Sequence, residues 1–243
     1  MESHGFTAFK TGPYMIDPDA SRWGRVCSEA ATYFEDIRKH TPHEWEFAFD
    51  PHAKIFEPIR ALQLADALAP YDPMFYEEPL RPEHIPQWGR LRRQMRVPLA
   101  TGESLFGRFE FLDLIAAQGA DIIQPDVCIC GGLLEMRKIA AIAEAHYVSV
   151  APHNPMGPIS TAVNVHFAAA SHNFTILEYY LPTDADWADW VDEPYVPKDG
   201  YLEIRPDRPG LGIEVNEEAI SGHDFIHWQR TCPVRPDGST GYV

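Results

Sequence analysis

The chain is poor in basic residues and in long apolar runs, and each shortage excludes a class of protein. Only 20 of its 243 residues are Lys or Arg, against 36 Asp or Glu, so the formal net charge is −16. This acid excess repels phosphate backbones and anionic lipid head groups, so we expect no nucleic-acid partner and no membrane surface. No apolar stretch approaches the roughly 18–20 residues that span a bilayer. The opening residues Met1–His4 also lack the pattern of a signal peptide, which predicts a soluble, cytoplasmic protein.

Cysteine is scarce as well. The four cysteines are Cys27, Cys128, Cys130 and Cys232. Four are too few for a disulfide framework in a chain of this length, and the single residue between Cys128 and Cys130 does not match zinc or redox motifs. We expect all four to be ordinary thiols. The composition, 45% hydrophobic and 23% charged, is that of a globular protein.

Short apolar runs alternate with longer segments whose apolar residues have helical spacing. A regular alternation of strand and helix predicts parallel strands joined by crossover helices. The candidate strands cover Gly5–Lys10, Glu46–Asp50, Met74–Glu78, Pro98–Glu103, Asp121–Asp126, Val148–His153 and Thr175–Tyr180.

A polar residue stands near the carboxyl end of each candidate strand from the second onward. These residues are Asp50, Glu77, Glu103, Asp126, His153 and Glu178, at intervals of 27, 26, 23, 27 and 25 residues. One chemical group per βα unit is typical of a TIM-type (β/α) barrel, whose active-site residues come from successive strand ends. An open doubly wound sheet would usually carry a glycine-rich phosphate loop after its first strand. The pair Gly131-Gly132 does not form one.

Three consecutive strand ends carry carboxylates, namely Asp50, Glu77 and Glu103. Taken singly, each is interpreted equally well as a solvated loop residue. Three of them spaced by one βα unit should converge, and they cannot all stay ionised a few ångströms apart without a cation. Ligand sets made only of oxygen suit Mg²⁺ far better than zinc. The spacing therefore predicts a magnesium site.

Two histidines accompany the carboxylates. His153 ends the strand after the one that ends at Asp126, so the carboxylate should lie beside the imidazole, orient it and raise its basicity. His52 follows Asp50 by two residues and can project toward the same cavity. Glu178 is the weaker prediction, because packing or capping would also explain it.

A divalent metal flanked by two histidines suits proton abstraction next to a carboxylate. The pKa of such a C–H is far above 7, so the charge that develops must be stabilised. A second histidine could then protonate a departing hydroxyl. Together these roles predict the dehydration of a hydroxy acid.

Several short motifs occur in one order along residues 1–218. They are Glu77-Glu78-Pro79, Thr101-Gly102-Glu103, Gln124-Pro125-Asp126, Ala151-Pro152-His153-Asn154-Pro155 and Pro209-Gly210-Leu211-Gly212. In these motifs the chain resembles the enolase superfamily, and within it the mandelate racemase subgroup and its acid-sugar dehydratases of the galactonate type. The resemblance implies a Mg²⁺-dependent hydro-lyase that converts a sugar acid to a 2-keto-3-deoxy acid.

Residue by residue, the resemblance assigns the metal ligands to Asp50, Glu77 and Glu103, which the spacing had also selected. It makes His153 with Asp126 the general base. The acid for the leaving hydroxyl is then His52, and Glu178 hydrogen-bonds the substrate.

One position departs from the family pattern. Members with a Lys-x-Lys motif use a lysine as a second base, but here the matching stretch is Ala8-Phe9-Lys10. Lys10 is left as a candidate for substrate contact, and a racemase or epimerase, which needs a base on each face of the substrate, is the alternative enzyme.

Length is the second departure. Members carry an amino-terminal capping domain and a first barrel strand, and neither is recognisable here. We therefore expect an incomplete barrel over residues 1–182, with strands two to eight, and an extension over residues 183–243 that would pack on the capping domain. The full-length form is expected to be a homo-oligomer with a small sugar acid as its substrate. A truncated, non-catalytic fragment is the alternative outside the enzyme class.

Overall fold

The computed structural model describes residues 4–181, 189–222, 224–225, 227, 234–235 and 237–239. The strands are β1 (Ala8–Thr11), β2 (Glu46–Phe49), β3 (Tyr76–Glu77), β4 (Leu99–Thr101), β5 (Ile122–Ile123) and β6 (Ser149–Val150). The helices are α1 (Trp23–His40), α2 (Pro58–Leu68), α3 (Ile85–Arg92), α4 (Gly107–Ala116), α5 (Leu133–Ala145), α6 (Pro158–Ala169) and α7 (Glu217–Ser221), with a 3-10 turn at Ala69–Tyr71.

The six strands form one sheet in the order β1-β2-β3-β4-β5-β6, with a helix between each strand and the next. The pairs β1–β2, β2–β3 and β3–β4 are parallel, and their register places Phe49 opposite Tyr76. Sequential order and helical crossovers are the arrangement of a (β/α) barrel, so the predicted fold class is confirmed. No helix in the described part of the chain is long and apolar enough to cross a membrane.

The strands are shorter than the sequence predicts from its apolar runs, and the prediction of a seventh strand is wrong. Residues 175–180 form no strand, and the pairing with β6 is reduced to one parallel bridge between Val150 and Phe174. A ladder grows only where a neighbour offers backbone groups, and β6 has two residues to offer. The segment that ends at Tyr180 therefore needs other contacts to hold it.

The chain forms two compact units. The first, here called the amino unit, comprises Thr7–Thr101, Asp113–Ile122 and Gln229–Val243. Its helix α1 buries Val26, Ala30 and Phe34, which recur every four residues on one face. Phe34 packs edge-on against Phe49 of β2, with ring centroids 5.6 Å apart. These contacts place α1 against the sheet.

The second, the carboxyl unit, comprises Met1–Phe6, Gly102–Leu112 and Ile123–Trp228. Here Ala162 and Val165 of α6 pack with Tyr195, and the partly buried Leu202, Leu211 and Ile213 join them. The described part of the predicted extension therefore packs against apolar side chains of α6.

The three cysteines within the described residues, Cys27, Cys128 and Cys130, are free thiols. Burial raises the pKa of Cys130 to about 12, so its thiol stays protonated at neutral pH. The prediction of ordinary thiols is confirmed for these three, and Cys232 lies outside the described residues.

Candidate active site

Two of the predicted carboxylates lie together in the amino unit. Asp50 follows β2 and Glu77 ends β3, and their side chains are 2% and 0% exposed. Lys10 of β1 approaches both, with its Nζ 2.6 Å from Glu77 Oε1 and 3.3 Å from Asp50 Oδ2. Burying a carboxylate is unfavourable unless it is paired. The Lys10 ammonium therefore offsets part of the negative charge of this buried pair.

Apolar packing on the helix side of the sheet sets the position of these carboxylates. Phe49 and Tyr76 are paired across β2 and β3, and their rings stack with centroids 4.2 Å apart. Because successive side chains in a strand point to opposite faces, Asp50 and Glu77, the next residues, point away from α1. The stacked rings therefore fix where the two carboxylates emerge.

His52 lies beside Asp50 on a tight turn. Its Nε2 is 3.3 Å from Asp50 Oδ2, and its backbone N–H donates to Asp50 Oδ1 at 2.7 Å. His52 and Ala53 both have positive φ, at 54° and 55°. Non-glycine residues adopt this conformation at a cost, and the surroundings must hold it. Here the Ala53 N–H donates to the Glu78 carbonyl at 2.7 Å. The turn leaves the imidazole 65% exposed and accessible to a substrate.

Glu78 is a buried carboxylate that the sequence reasoning missed. It accepts a hydrogen bond from the Thr101 hydroxyl, and its N–H donates to the Ala100 carbonyl at 3.0 Å. The pattern of one polar residue per strand end predicts Glu77 alone at this strand. The doublet Glu77-Glu78 was the available signal for Glu78. Successive side chains of a strand point to opposite faces, so two adjacent acids can reach the same face only if the backbone turns between them. Glu78 has a φ of 33°, which is such a turn.

The predicted base lies in the carboxyl unit. His153 Nδ1 is 2.8 Å from Asp126 Oδ2, and Asp126 is buried, with its Oδ1 accepting from the Cys128 N–H at 2.7 Å. An ionised carboxylate can only accept, so Nδ1 carries a proton, and in the neutral ring Nε2 offers its lone pair. Nε2 lies 3.7 Å from Glu103 Oε2 and 4.0 Å from Glu178 Oε2. The pair has the form of a general base, with its reactive nitrogen facing two carboxylates.

Burial and charge act in opposite directions on His153. Burial is the largest influence and lowers the pKa of the imidazole. The hydrogen bond to Asp126 and the negative charges of Glu103 and Glu178 raise the pKa, and together they outweigh burial. The pKa of His153 is therefore above its ordinary value, and the carboxylates make this histidine a stronger base.

Asn154 is the second residue that sequence reasoning missed. It belongs to the motif Ala151-Pro152-His153-Asn154-Pro155, and its backbone N–H donates to Glu178 Oε2 at 2.8 Å. Its side chain is buried and hydrogen-bonded on both the amide nitrogen and the amide oxygen. A polar side chain directly after a predicted catalytic histidine was the available signal.

Gly102 connects β4 to Glu103 and has a φ of 124°. A Cβ there would lie 2.7 Å from Cε1 of the buried Phe111. We expect Gly102→Ala to lower the free energy of unfolding by about 1–3 kcal/mol, because it adds overpacking to backbone strain. Urea-induced unfolding followed by circular dichroism measures this difference.

Gly132→Ala is the matched control, because Gly132 also has a positive φ, at 87°, but a Cβ there meets nothing within 4 Å. The control keeps the backbone strain, about 1 kcal/mol, without the clash. Equal losses of stability in the two variants would contradict the packing argument.

The chain is similar to one protein family and to several known proteins. The family described as "Enolase C-terminal domain-like" matches residues 1–219. D-galactonate dehydratase from Xanthomonas campestris pv. campestris is 37% identical over 223 residues. An enolase from Agrobacterium radiobacter, proposed to be a galactarate dehydratase and crystallised with Na and L-malate bound, is 54% identical with a TM-score of 0.95. A mandelate racemase/muconate lactonizing enzyme-like protein from Rubrobacter xylanophilus is 33% identical with a TM-score of 0.81.

The coverage of these matches is unequal. The D-galactonate dehydratase alignment covers 88% of this chain and 58% of that protein. The Agrobacterium enolase covers 100% of this chain, which in turn covers 65% of the enolase, and the Rubrobacter protein gives 92% and 59%. The chain therefore spans about three fifths of the length of these relatives.

Proposed function

The chain belongs to the Enolase C-terminal domain-like family, and on that basis we propose that it carries the catalytic residues of a Mg²⁺-dependent sugar-acid dehydratase. Its fold is that of an incomplete enolase-superfamily (β/α) barrel. The observation that carries the proposal is His153, oriented by Asp126 at 2.8 Å, with its free Nε2 facing Glu103 and Glu178. The names of the D-galactonate dehydratase and of the Agrobacterium enolase support the substrate class.

The proposed metal ligands are Asp50, Glu77 and Glu103. Asp50 and Glu77 are chosen because they are buried side by side next to Lys10, and Glu103 is chosen from the resemblance to the enolase superfamily. The donor set fits the ion, because it offers only oxygen, and the carboxylates of Asp50 and Glu77 are both buried. When bound, Mg²⁺ supplies positive charge next to the substrate carboxylate, where negative charge develops as the α-proton leaves.

Two histidines carry out the two proton transfers. His153 Nε2 removes the proton from the carbon next to the substrate carboxylate, while Asp126 keeps the other ring nitrogen protonated and the ring in place. Protonated His52 gives its proton to the β-hydroxyl, which leaves as water. Glu178 accepts a hydrogen bond from a substrate hydroxyl. The resulting enol tautomerises to a 2-keto-3-deoxy acid, so the net change is the loss of one water.

A substrate panel tests the proposal. The chain, and in parallel the product of any longer in-frame coding sequence that contains it, is incubated with MgCl₂ and a set of aldonic and aldaric acids. We expect a 2-keto-3-deoxy product from at least one acid, detected as its semicarbazone or by mass spectrometry. No keto product from any acid with either protein would refute the proposed function.

His52→Asn separates dehydration from proton abstraction. We expect it to lower the rate of keto product formation by about 10²-fold or more, because the leaving hydroxyl loses its acid. Exchange of the α-proton with solvent deuterium should continue, since His153 is untouched. Mass spectrometry of recovered substrate and product in D₂O measures both rates.

His172→Asn, which alters an exposed histidine paired with Glu144, is the control and should match the wild type. Equal loss of exchange and of elimination in His52→Asn would contradict the assigned role. If the wild type incorporates deuterium without forming keto product, the racemase or epimerase alternative is favoured.

The remaining expectations stay predictions. These are the division into a barrel portion (1–182) and an extension (183–243), the use of Lys10 for substrate contact, and a homo-oligomeric full-length form.

A further inference from the structure

Glu178 lies on a segment that the sheet does not hold. Among the described residues, backbone hydrogen bonds from β6 to this segment end at Thr175, whose N–H donates to the Val150 carbonyl at 2.9 Å. Glu178 lies three residues further along, where the predicted seventh strand is absent. A carboxylate that must meet a substrate with ångström accuracy needs some other support there.

Asn154 supplies that support from two sides. Its backbone N–H donates to Glu178 Oε2 at 2.8 Å, and its side-chain Nδ2 donates to the Glu178 carbonyl oxygen at 3.0 Å. Asn154 thus binds both the backbone and the carboxylate of Glu178, whereas a neighbouring strand would bind only the backbone. Asn154 therefore helps to set the orientation of the carboxylate.

Asn154 is itself fixed by α6. Its Nδ2 also donates to Thr161 Oγ1 at 3.0 Å, and its Oδ1 accepts from Asn164 Nδ2 at 3.0 Å. The Ser160 hydroxyl lies 3.0 Å from the same Oδ1. All of these groups are buried, so each bond is retained without competition from water. An amide with partners on both ends cannot rotate without losing several hydrogen bonds at once.

Asn154 also follows His153 directly, so the peptide that joins them belongs to both residues. The N–H that binds Glu178 Oε2 is in that peptide, and the imidazole Nε2 is 4.0 Å from the same oxygen. The anchored peptide thus sets the separation between the proposed base and the proposed hydrogen-bonding carboxylate.

We infer that Asn154 is a positioning residue that couples His153 to Glu178, replacing the seventh-strand ladder with a buried amide network on α6. The inference rests on the proposed function for its catalytic meaning. Its structural content, that Asn154 holds Glu178, does not depend on activity.

Hydrogen exchange tests the structural content with Asn154 left in place. In Glu178→Ala the Asn154 N–H loses its acceptor, and we expect its exchange, followed by NMR, to be at least about tenfold faster. The Ala151 N–H, which donates to the Ile123 carbonyl at 3.0 Å in the same unit, is the internal control and should change by less than about twofold. Unchanged exchange at Asn154 would overturn the inference, even if no sugar acid is turned over.

Kinetics on the active protein test the catalytic meaning. We expect Asn154→Ala to lower kcat by about 10–100-fold, as loss of a supporting hydrogen bond commonly does, with KM within about threefold. In a Glu178→Gln background, Asn154→Ala should lower kcat by less than about threefold, because Asn154 acts through Glu178. The same factor in both backgrounds would show a merely structural role and overturn the inference.

Asn173→Ala is the matched control for folding. Asn173 also donates from its side chain to two backbone carbonyls, those of Ala140 and Val148, but it does not contact Glu178. It should retain kcat within about threefold. If the wild type turns over no sugar acid, the proposed function fails, and the exchange result alone decides the role of Asn154.

Discussion

His153→Asn is expected to lower kcat by about 10²–10⁴-fold, the range that a positioned general base contributes. Asparagine occupies a similar space but has no lone pair of comparable basicity at the position of Nε2. Exchange of the substrate α-proton with solvent should fall by the same factor as product formation, because both begin with the same proton transfer. Turnover measured as keto product, together with deuterium incorporation in D₂O, checks this outcome.

Two further variants test whether this effect is specific to His153. Asp126→Asn should lower kcat by a smaller factor than His153→Asn. The imidazole remains in this variant but loses the hydrogen bond that orients it and raises its pKa. His146→Asn alters an exposed histidine at the end of α5 and should leave kcat unchanged. A His153→Asn protein that folds and keeps more than about a tenth of wild-type exchange would show that another group is the base.

Glu77→Gln is expected to weaken Mg²⁺ binding by roughly 10²-fold, because it removes a full negative charge from a buried carboxylate that we propose as a ligand, while keeping the shape of the side chain. Lys10 would then face Asp50 with one fewer carboxylate to offset it, which adds repulsion toward an incoming cation. Isothermal titration calorimetry with MgCl₂, or Mn²⁺ binding followed by electron paramagnetic resonance, measures the affinity without requiring turnover.

Glu78→Gln is the matched control for this experiment. Glu78 is the adjacent carboxylate and equally buried, but its Oε1 accepts from the Thr101 hydroxyl, and we do not propose it as a ligand. Its replacement should change the Mg²⁺ affinity by less than about threefold. Equal weakening in the two variants would make Glu78 a ligand as well, and no weakening in Glu77→Gln would remove Glu77 from the site.

Spacing predicted the parts of the site that follow from topology. Residues one βα unit apart at strand ends must emerge at the same edge of a parallel sheet, so Asp126 and His153 could be paired from their positions alone. They lie 2.8 Å apart. The placement of Lys10 beside Asp50 and Glu77 follows from the same geometry, although the sequence suggested only a contact with substrate.

Other parts depended on contacts that no local pattern encodes. The support of Glu178 by Asn154 joins residues 24 positions apart through a side chain and a backbone, and buried polar networks have no periodicity. The seventh strand was predicted from an apolar run, but a strand needs a partner, and β6 ends after two residues. The turn at Glu78 was hidden because strand alternation assumes an extended backbone.

The stacked rings of Phe49 and Tyr76 have a consequence for how this site tolerates change. Each ring shares its peptide with one proposed metal ligand, so a substitution beneath α1, far from any substrate, moves a carboxylate on the opposite face. Rigid, close-packed interiors pass such displacements on with little loss. We therefore expect the selectivity of the proposed cation site to depend on aromatic side chains on the opposite face of the sheet, so an effort to alter it must include the residues that pack against α1.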